Sequence, residues 1–251
     1  MKSPLFVRAI FSSIALLHCL ASAAADELHI AVASNFSETI KVIASQFEQK
    51  TGHTVILAFG STGKHYAQII NGAPFDLFFA ADSARPGLLE KTGVALPGSR
   101  FTYALGRILL WSPNEDVVDR DGRVLEQGNF RHLAIANPKL APYGKAAQQV
   151  LEARDLWDTL GNRLVKGENI GQAFQFVKSG NAELGFVAFS QVKQRGQPLP
   201  GSHWEVPQAI YSPIEQQAVL LRDSGPARSF LSFVRSDAIR VLIRDYGYYT
   251  P

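Results

Sequence analysis

The sequence is poor in sulfur: its 251 residues include one cysteine, Cys19, and one methionine, Met1. A lone thiol rules out an intrachain disulfide framework, so the fold must rest on an apolar core. Charge of one sign is lacking too, since 25 Lys and Arg stand against 22 Asp and Glu. No basic stripe or lysine-rich helix marks a nucleic-acid or membrane-surface binder. The longest apolar run falls short of the roughly 20 residues that a bilayer span needs. Internal repeats and low-complexity segments are also missing.

Several catalytic signatures fail on inspection. There is no Gly-x-Ser-x-Gly elbow, the main signal of a serine hydrolase. Gly60-Ser61-Thr62-Gly63-Lys64 looks like a phosphate loop, but that pattern requires glycine at Ala58 and Ser or Thr at His65. His29, His53, His65, His132 and His203 lack zinc-ligand spacing and read as surface or capping histidines. Asp119-Arg120-Asp121-Gly122 begins like a calcium loop without its later ligands, which leaves a turn. Trp111, Trp157 and Trp204 read as core or lobe-surface aromatics. Neither a cofactor nor a direct metal-cation ligand is expected.

What is present starts at the N-terminus. Lys2 and Arg8 precede an apolar run from Ile10 to Leu20 that is broken by Ser12, Ser13 and His18. The small residues Ala21 to Ala25 follow, so residues 1–25 read as a cleaved signal peptide, with the cut after Ala25 or Ala23. A buried N-terminal helix is the competing reading. Cys19 follows His18 and not a small residue, which argues against lipid attachment. Removing 1–25 deletes the only Cys and Met and leaves a nearly neutral chain bound for the periplasm.

The rest alternates strand and helix patterns. Leu28–Ala33, Val55–Phe59, Asp76–Ala80, Leu133–Ala136, Leu184–Phe189 and Gln216–Leu221 read as strands. Phe36, Ile40, Ile43 and Phe47 mark one face of a helix ending at Gly52, and Tyr66, Ile69 and Ile70 mark a second. A short helix is expected after Pro86. Others are expected over Tyr143–Arg154 and Asn169–Lys178, and from about Pro226 and Ser236. Phe101–Trp111 is long enough to cross between two lobes. Pro113–Arg123 and Gln194–Ser202 read as polar loops. This alternation implies α/β architecture with parallel sheets.

Small polar residues gather where strands hand over to helices: Ala33-Ser34-Asn35, Gly60-Ser61-Thr62-Gly63, Ala141-Pro142-Tyr143-Gly144 and Gly167-Glu168-Asn169-Ile170. The first amides of a helix lack intrahelical acceptors and carry the positive end of its dipole. Several such ends aimed at one point would hold an anion without Lys or Arg. Ordinary N-capping explains any one of them equally well. All four, however, fall at carboxyl ends of strands, the edge where open α/β sheets bind ligands.

These segments, with Gly72-Ala73-Pro74-Phe75-Asp76-Leu77-Phe78-Phe79-Ala80-Ala81-Asp82, Ile135-Ala136-Asn137-Pro138 and Gly185-Phe186-Val187-Ala188, resemble the molybdate-binding proteins of bacterial ABC transporters. The resemblance runs over essentially the whole mature chain. It implies the two-lobed periplasmic binding protein fold of type II with the ligand between the lobes. It further implies a monomer that delivers a molybdate or tungstate oxyanion to an inner-membrane permease, with no reaction catalysed. The implied lobes are residues 26–106, 107–213 and the return 214–251. Carried across residue by residue, oxyanion binding falls to Ser34, Asn35 and Ser61 from one lobe. Tyr143 and the backbone N–H of Ile170 supply it from the other. Some members carry a ligand tyrosine where Ala188 stands; Tyr143 takes the hydroxyl role here. Molybdate is fully ionised at neutral pH and only accepts hydrogen bonds, whereas protonated phosphate also needs an acceptor. Binding of sulfate or another oxyanion is the first alternative. An enzyme acting on a phosphorylated metabolite is the second, and the loops offer it only Lys64, His65 and Glu168 as titratable neighbours. An intracellular sensor is disfavoured by the leader.

Overall fold

The computed structural model describes residues 26–194 and 196–251, so the expected leader lies outside the described residues. The chain begins with β1 (Glu27–Ala33), a 3-10 turn (Ser34–Phe36) and α1 (Ser37–Thr51). Phe36, Ile40, Ile43 and Phe47 are all buried, which gives the apolar stripe read from the sequence. Gly52 stops α1 at φ 77°, a left-handed conformation in which a Cβ is costly. Next come β2 (Thr54–Gly60), α2 (Thr62–Ile70), β3 (Leu77–Phe79) and α3 (Ala84–Lys91). Two details depart from the sequence reading. The face α2 buries is Thr62, His65 and Ile69, leaving Ile70 exposed. Helix α3 begins before Pro86 and not after it, because proline is tolerated in a first turn, where its missing N–H is not needed.

The stretch Phe101–Trp111 resolves into β4 (Phe101–Gly106) and β5 (Ile108–Ser112), which are separated by Arg107 and belong to different sheets. The second lobe continues with α4 (Val124–Gln127), β6 (Leu133–Ala136), α5 (Pro142–Ala153), β7 (Leu164–Gly167), α6 (Ile170–Lys178), β8 (Leu184–Ala188), α7 (Phe189–Val192) and β9 (Ser202–Glu205). The chain then returns through β10 (Ile214–Leu220) and ends with α8 (Gly225–Val234) and α9 (Asp237–Asp245). Ser202, read as part of a polar loop, opens a strand instead.

The strands form two five-stranded sheets, ordered β2-β1-β3-β10-β4 and β7-β6-β8-β5-β9. In each, the first three strands are parallel and the fourth runs against the third. The fifth runs against the fourth. The sheets are therefore mixed, which corrects the expectation of parallel sheets. The cause is the crossing itself: β5 and β10 bring the chain in from the other lobe and so enter from the opposite end. Parallel strands joined by helices lie on the other side of each sheet, and their carboxyl ends face the cleft.

Each lobe has its own core. The first is aromatic, with Phe36, Phe47, Phe79, Tyr103, Phe230 and Tyr248 packed together. Phe36 and Tyr103 lie 4.7 Å apart between ring centroids. The second is built mainly of Leu, Ile, Val and Ala around Tyr143 and Phe186, and Ala33 and Ala81 of the first lobe pack against it. Asp76, within the Gly72–Asp82 segment, proves structural. Its buried carboxylate accepts from the His29 backbone N–H at 2.8 Å and pairs with Arg222 at 3.2 Å, tying the start of β3 to its neighbours.

Candidate functional site

Four helical starts converge on one small cavity. The residues that precede the 3-10 turn, α2, α5 and α6 are Ala33, Ser61, Ala141 and Asn169, and all four line it. Each start brings the positive end of its backbone dipole to the cavity, and its first-turn amides have no acceptor within their own helix. Ser34, Asn35, Ser61, Tyr143 and Ile170 also line the cavity, so the five residues nominated from sequence meet at one place. They are between 1% and 8% exposed, low enough for a bound ion to lose most of its water. The cavity is narrow and has no charged side chain in its wall.

Most of the polar side chains around it are left with a proton to give, and Asn35 Oδ1 is a buried acceptor without a partner among the described residues. Ser61 Oγ accepts the Lys64 backbone N–H at 3.3 Å, capping α2 and leaving its own proton free. Ser34 Oγ accepts the Gly171 N–H from the other lobe at 3.1 Å and is likewise left with a proton to give. Asn169 Oδ1 caps α6 by accepting the Gln172 N–H at 3.0 Å, and the Ile170 N–H in that first turn has no intrahelical acceptor. Tyr143 lies in the first turn of α5, where Pro142 at the start contributes no N–H of its own. Burial pushes the Tyr143 phenol well above its usual range, so it stays protonated as a donor.

Asn35 refines the sequence reading. Its side-chain Nδ2 donates to Gln216 Oε1 at 2.7 Å and to Tyr248 Oη at 3.2 Å. That leaves its backbone N–H, at the start of the 3-10 turn, as the donor for a ligand. Two neighbours escape the sequence reading. Thr62 lines the cavity and accepts the Ala81 N–H at 3.0 Å, which joins the loop after β3 to the loop after β2. Gln216, deep in β10, is fully buried, and a buried glutamine at the head of an apolar strand is the signal that could have exposed it.

His65 requires a correction. The sequence reading puts it at the surface or in a cap, yet it is 3% exposed and edge-on to Phe75 and Phe78. Its Nε2 donates to the Val32 carbonyl at 3.2 Å, and Nδ1 lies 3.1 Å from the Gln68 side-chain amide. It therefore braces β1 against α2, directly behind both serine loops. Desolvation lowers its pKa despite those hydrogen bonds, because burial penalises the charged ring.

Cross-lobe bonds flank the cavity. The Gly63 N–H donates to the Leu140 carbonyl at 2.8 Å, and Lys64 Nζ meets Glu168 Oε1 at 3.0 Å. That ion pair is half-exposed and its two charges cancel, so it adds closure and little field. Among the described residues no group of three or more His, Cys, Asp or Glu is placed to hold a metal cation.

Comparison with known proteins agrees with this geometry. The family model for bacterial extracellular solute-binding proteins matches residues 28–249. The chain is 50% identical over 236 residues to the molybdate-binding protein ModA of Azotobacter vinelandii, covering 93% of each sequence. It is 46% identical to that of Rhodobacter capsulatus over 98% of each. The solved structure of the Azotobacter vinelandii periplasmic molybdate-binding protein superposes with a TM-score of 0.87 at 44% identity, covering 89% of this chain and 99% of that one.

Proposed function

The chain belongs to the family of bacterial extracellular solute-binding proteins, and from that premise we propose that it captures molybdate, or the similarly sized tungstate, in the periplasm. It then delivers the oxyanion to an ABC-transporter permease, as a monomer and without catalysing a reaction. The observation that carries this reading is the convergence of four helical starts and two free serine protons on one uncharged cavity. A fully ionised tetrahedral anion accepts from every one of those donors. A phosphate that keeps a proton would bury it against this donor set at a cost of about 1–3 kcal/mol, unless Asn35 Oδ1, buried and without a partner among the described residues, accepts it.

The assigned ligands are the hydroxyls of Ser34, Ser61 and Tyr143 and the backbone N–H groups of Asn35 and Ile170. Charge-assisted bonds contribute roughly 1.5–3 kcal/mol each, so five support tight binding after the costs of closure. The lobes are assigned to residues 26–106 with 214–251, and to 107–213. They close over the anion about the paired crossings near Gly106 and Ile214. The leader is removed on export by cleavage after Ala25 or Ala23.

A thermal-unfolding screen of the mature protein with molybdate, tungstate, sulfate and phosphate tests this. Molybdate and tungstate at 100 times their dissociation constants should each add about 2.7 kcal/mol, and phosphate nothing. Stabilisation by sulfate or phosphate alone overturns the proposal.

A further inference from the structure

Gln216 is the hub of a buried polar cluster behind the cavity. Its Oε1 accepts from Asn35 Nδ2 at 2.7 Å and shares the Tyr103 hydroxyl proton, at 3.0 Å, with the Ala80 carbonyl at 3.1 Å. With the oxygen so held, Nε2 must face the other way, and it donates to the Tyr143 hydroxyl oxygen at 3.3 Å. This is the only hydrogen bond the Tyr143 hydroxyl makes among the described residues, and in it the phenol is the acceptor. Gly106 makes the approach feasible: a Cβ there would collide with the Tyr143 hydroxyl and lie 2.8 Å from Gln216 Nε2. Tyr248 closes the cluster by accepting from Asn35 Nδ2 and donating to the Asn35 carbonyl at 2.7 Å.

We propose that Gln216 is a positioning residue that fixes the direction of the Tyr143 hydroxyl, filling its lone pair so that its proton points to the anion. The proposal rests on the oxyanion reading above. A phenol is donor and acceptor at once, and an acceptor turned toward an oxyanion repels it. The same device recurs at both serines, where the Lys64 and Gly171 N–H groups fill the lone pairs of Ser61 and Ser34. Two of the three pairings span the lobes in opposite senses. Gly171 of the second lobe directs Ser34 of the first, and Gln216 of the first directs Tyr143 of the second. Each lobe thus makes the other's hydroxyl a committed donor only when the two meet, which couples closure to affinity.

Calorimetric titration with molybdate of the mature protein, Gln216→Met, Gln216→Glu, Tyr143→Phe and the two double variants decides the matter, with circular dichroism to check folding. Met keeps the length and deletes both the donor to Tyr143 and the acceptor for Asn35 and Tyr103, whereas a Glu carboxylate keeps that acceptor and presents another to Tyr143. Each should weaken binding at least about tenfold at pH 8. In the Tyr143→Phe background either change should cost clearly less than it does with Tyr143 in place, since no hydroxyl remains to direct and only the effect on Asn35 or the direct repulsion of the carboxylate is left. If either variant misfolds, the other carries the test. Folded variants that bind like the parent, or that lose as much in the Tyr143→Phe background as with Tyr143 in place, overturn the role. A parent that ignores molybdate overturns the functional reading itself, and this role with it.

Discussion

The two lobes share one plan but fill it with different chemistry. Position by position the sheets correspond: β2 with β7, β1 with β6, β3 with β8, β10 with β5 and β4 with β9. Helix α2 after β2 and helix α6 after β7 therefore occupy equivalent places, and their N-caps are Ser61 and Asn169. Both caps accept a backbone N–H three residues on. A serine oxygen that accepts still has a proton to give from the same atom, whereas asparagine keeps its protons on Nδ2, away from the accepting Oδ1. On the proposed assignment the first lobe meets the anion with a side chain at this position and the second with the backbone N–H of Ile170. The lesson is that the same N-terminal geometry can be sensitive or insensitive to mutation, depending on which cap closes it.

The sharpest way to break this comparison is at Ser61. Ser61→Ala removes the hydroxyl and should cost about 1.5–3 kcal/mol of binding, roughly a 10- to 150-fold loss by calorimetry. Ser61→Asn makes the first lobe resemble the second. It should restore the helix cap and the unfolding temperature without restoring affinity; recovery of both would erase the distinction between the caps. Next comes the brace. His65 stands behind the first lobe's loops, and its lowered pKa means the folded protein resists a proton that the unfolded chain accepts below about pH 6.5. Stability is complete above that pH and is lost as pH falls through it, by at most about 1.4 kcal/mol per pH unit. Urea unfolding between about pH 7.5 and 5.5 should show this slope, and His65→Gln should flatten it. The smallest effect is expected at Asn169. Asn169→Ala should cost about 1 kcal/mol of stability through the lost cap. Affinity should stay within roughly threefold of the parent, because the Ile170 N–H remains. A loss as large as that of Ser61→Ala would mean that the asparagine side chain itself touches the ligand.

The site is more legible in the sequence than the sheets are. The clusters that contain Ser34, Asn35, Ser61, Tyr143 and Ile170 are legible because each follows a strand's carboxyl end, a local signal, whereas the choice of those five within the clusters comes from the family resemblance. The apolar stripe of α1 and its stop at Gly52 are equally local. What cannot be read locally is anything set by the partner lobe. The mixed direction of the sheets comes from crossings that no periodicity encodes. Strands β7 and β9, Leu-Val-Lys-Gly and Ser-His-Trp-Glu, are too short and polar to declare themselves. Gln216 and Tyr248 lie 181 and 213 residues from the Asn35 they hold, so no motif window contains the pair. His65 defeats a spacing argument, because spacing excludes a metal but says nothing of burial.

The exchange of strands between the sheets also fixes an order of assembly. The second sheet is drawn from one continuous stretch, Ile108 to Glu205, and has all its strands once that stretch is available. The first sheet lacks its fourth strand until Ile214–Leu220 arrives, and without it β4 has no neighbour to join it to β3. Helices α8 and α9, whose Phe230 and Ile243 seal the aromatic core, come later still. A chain emerging from its N-terminus thus holds half of its binding machinery unfinished until nearly its last residues. Pairings so distant in sequence are slow to form. A chain threading the inner membrane therefore remains pliable on the near side, and Ser34, Asn35 and Ser61 come to rest only after the final residues have followed.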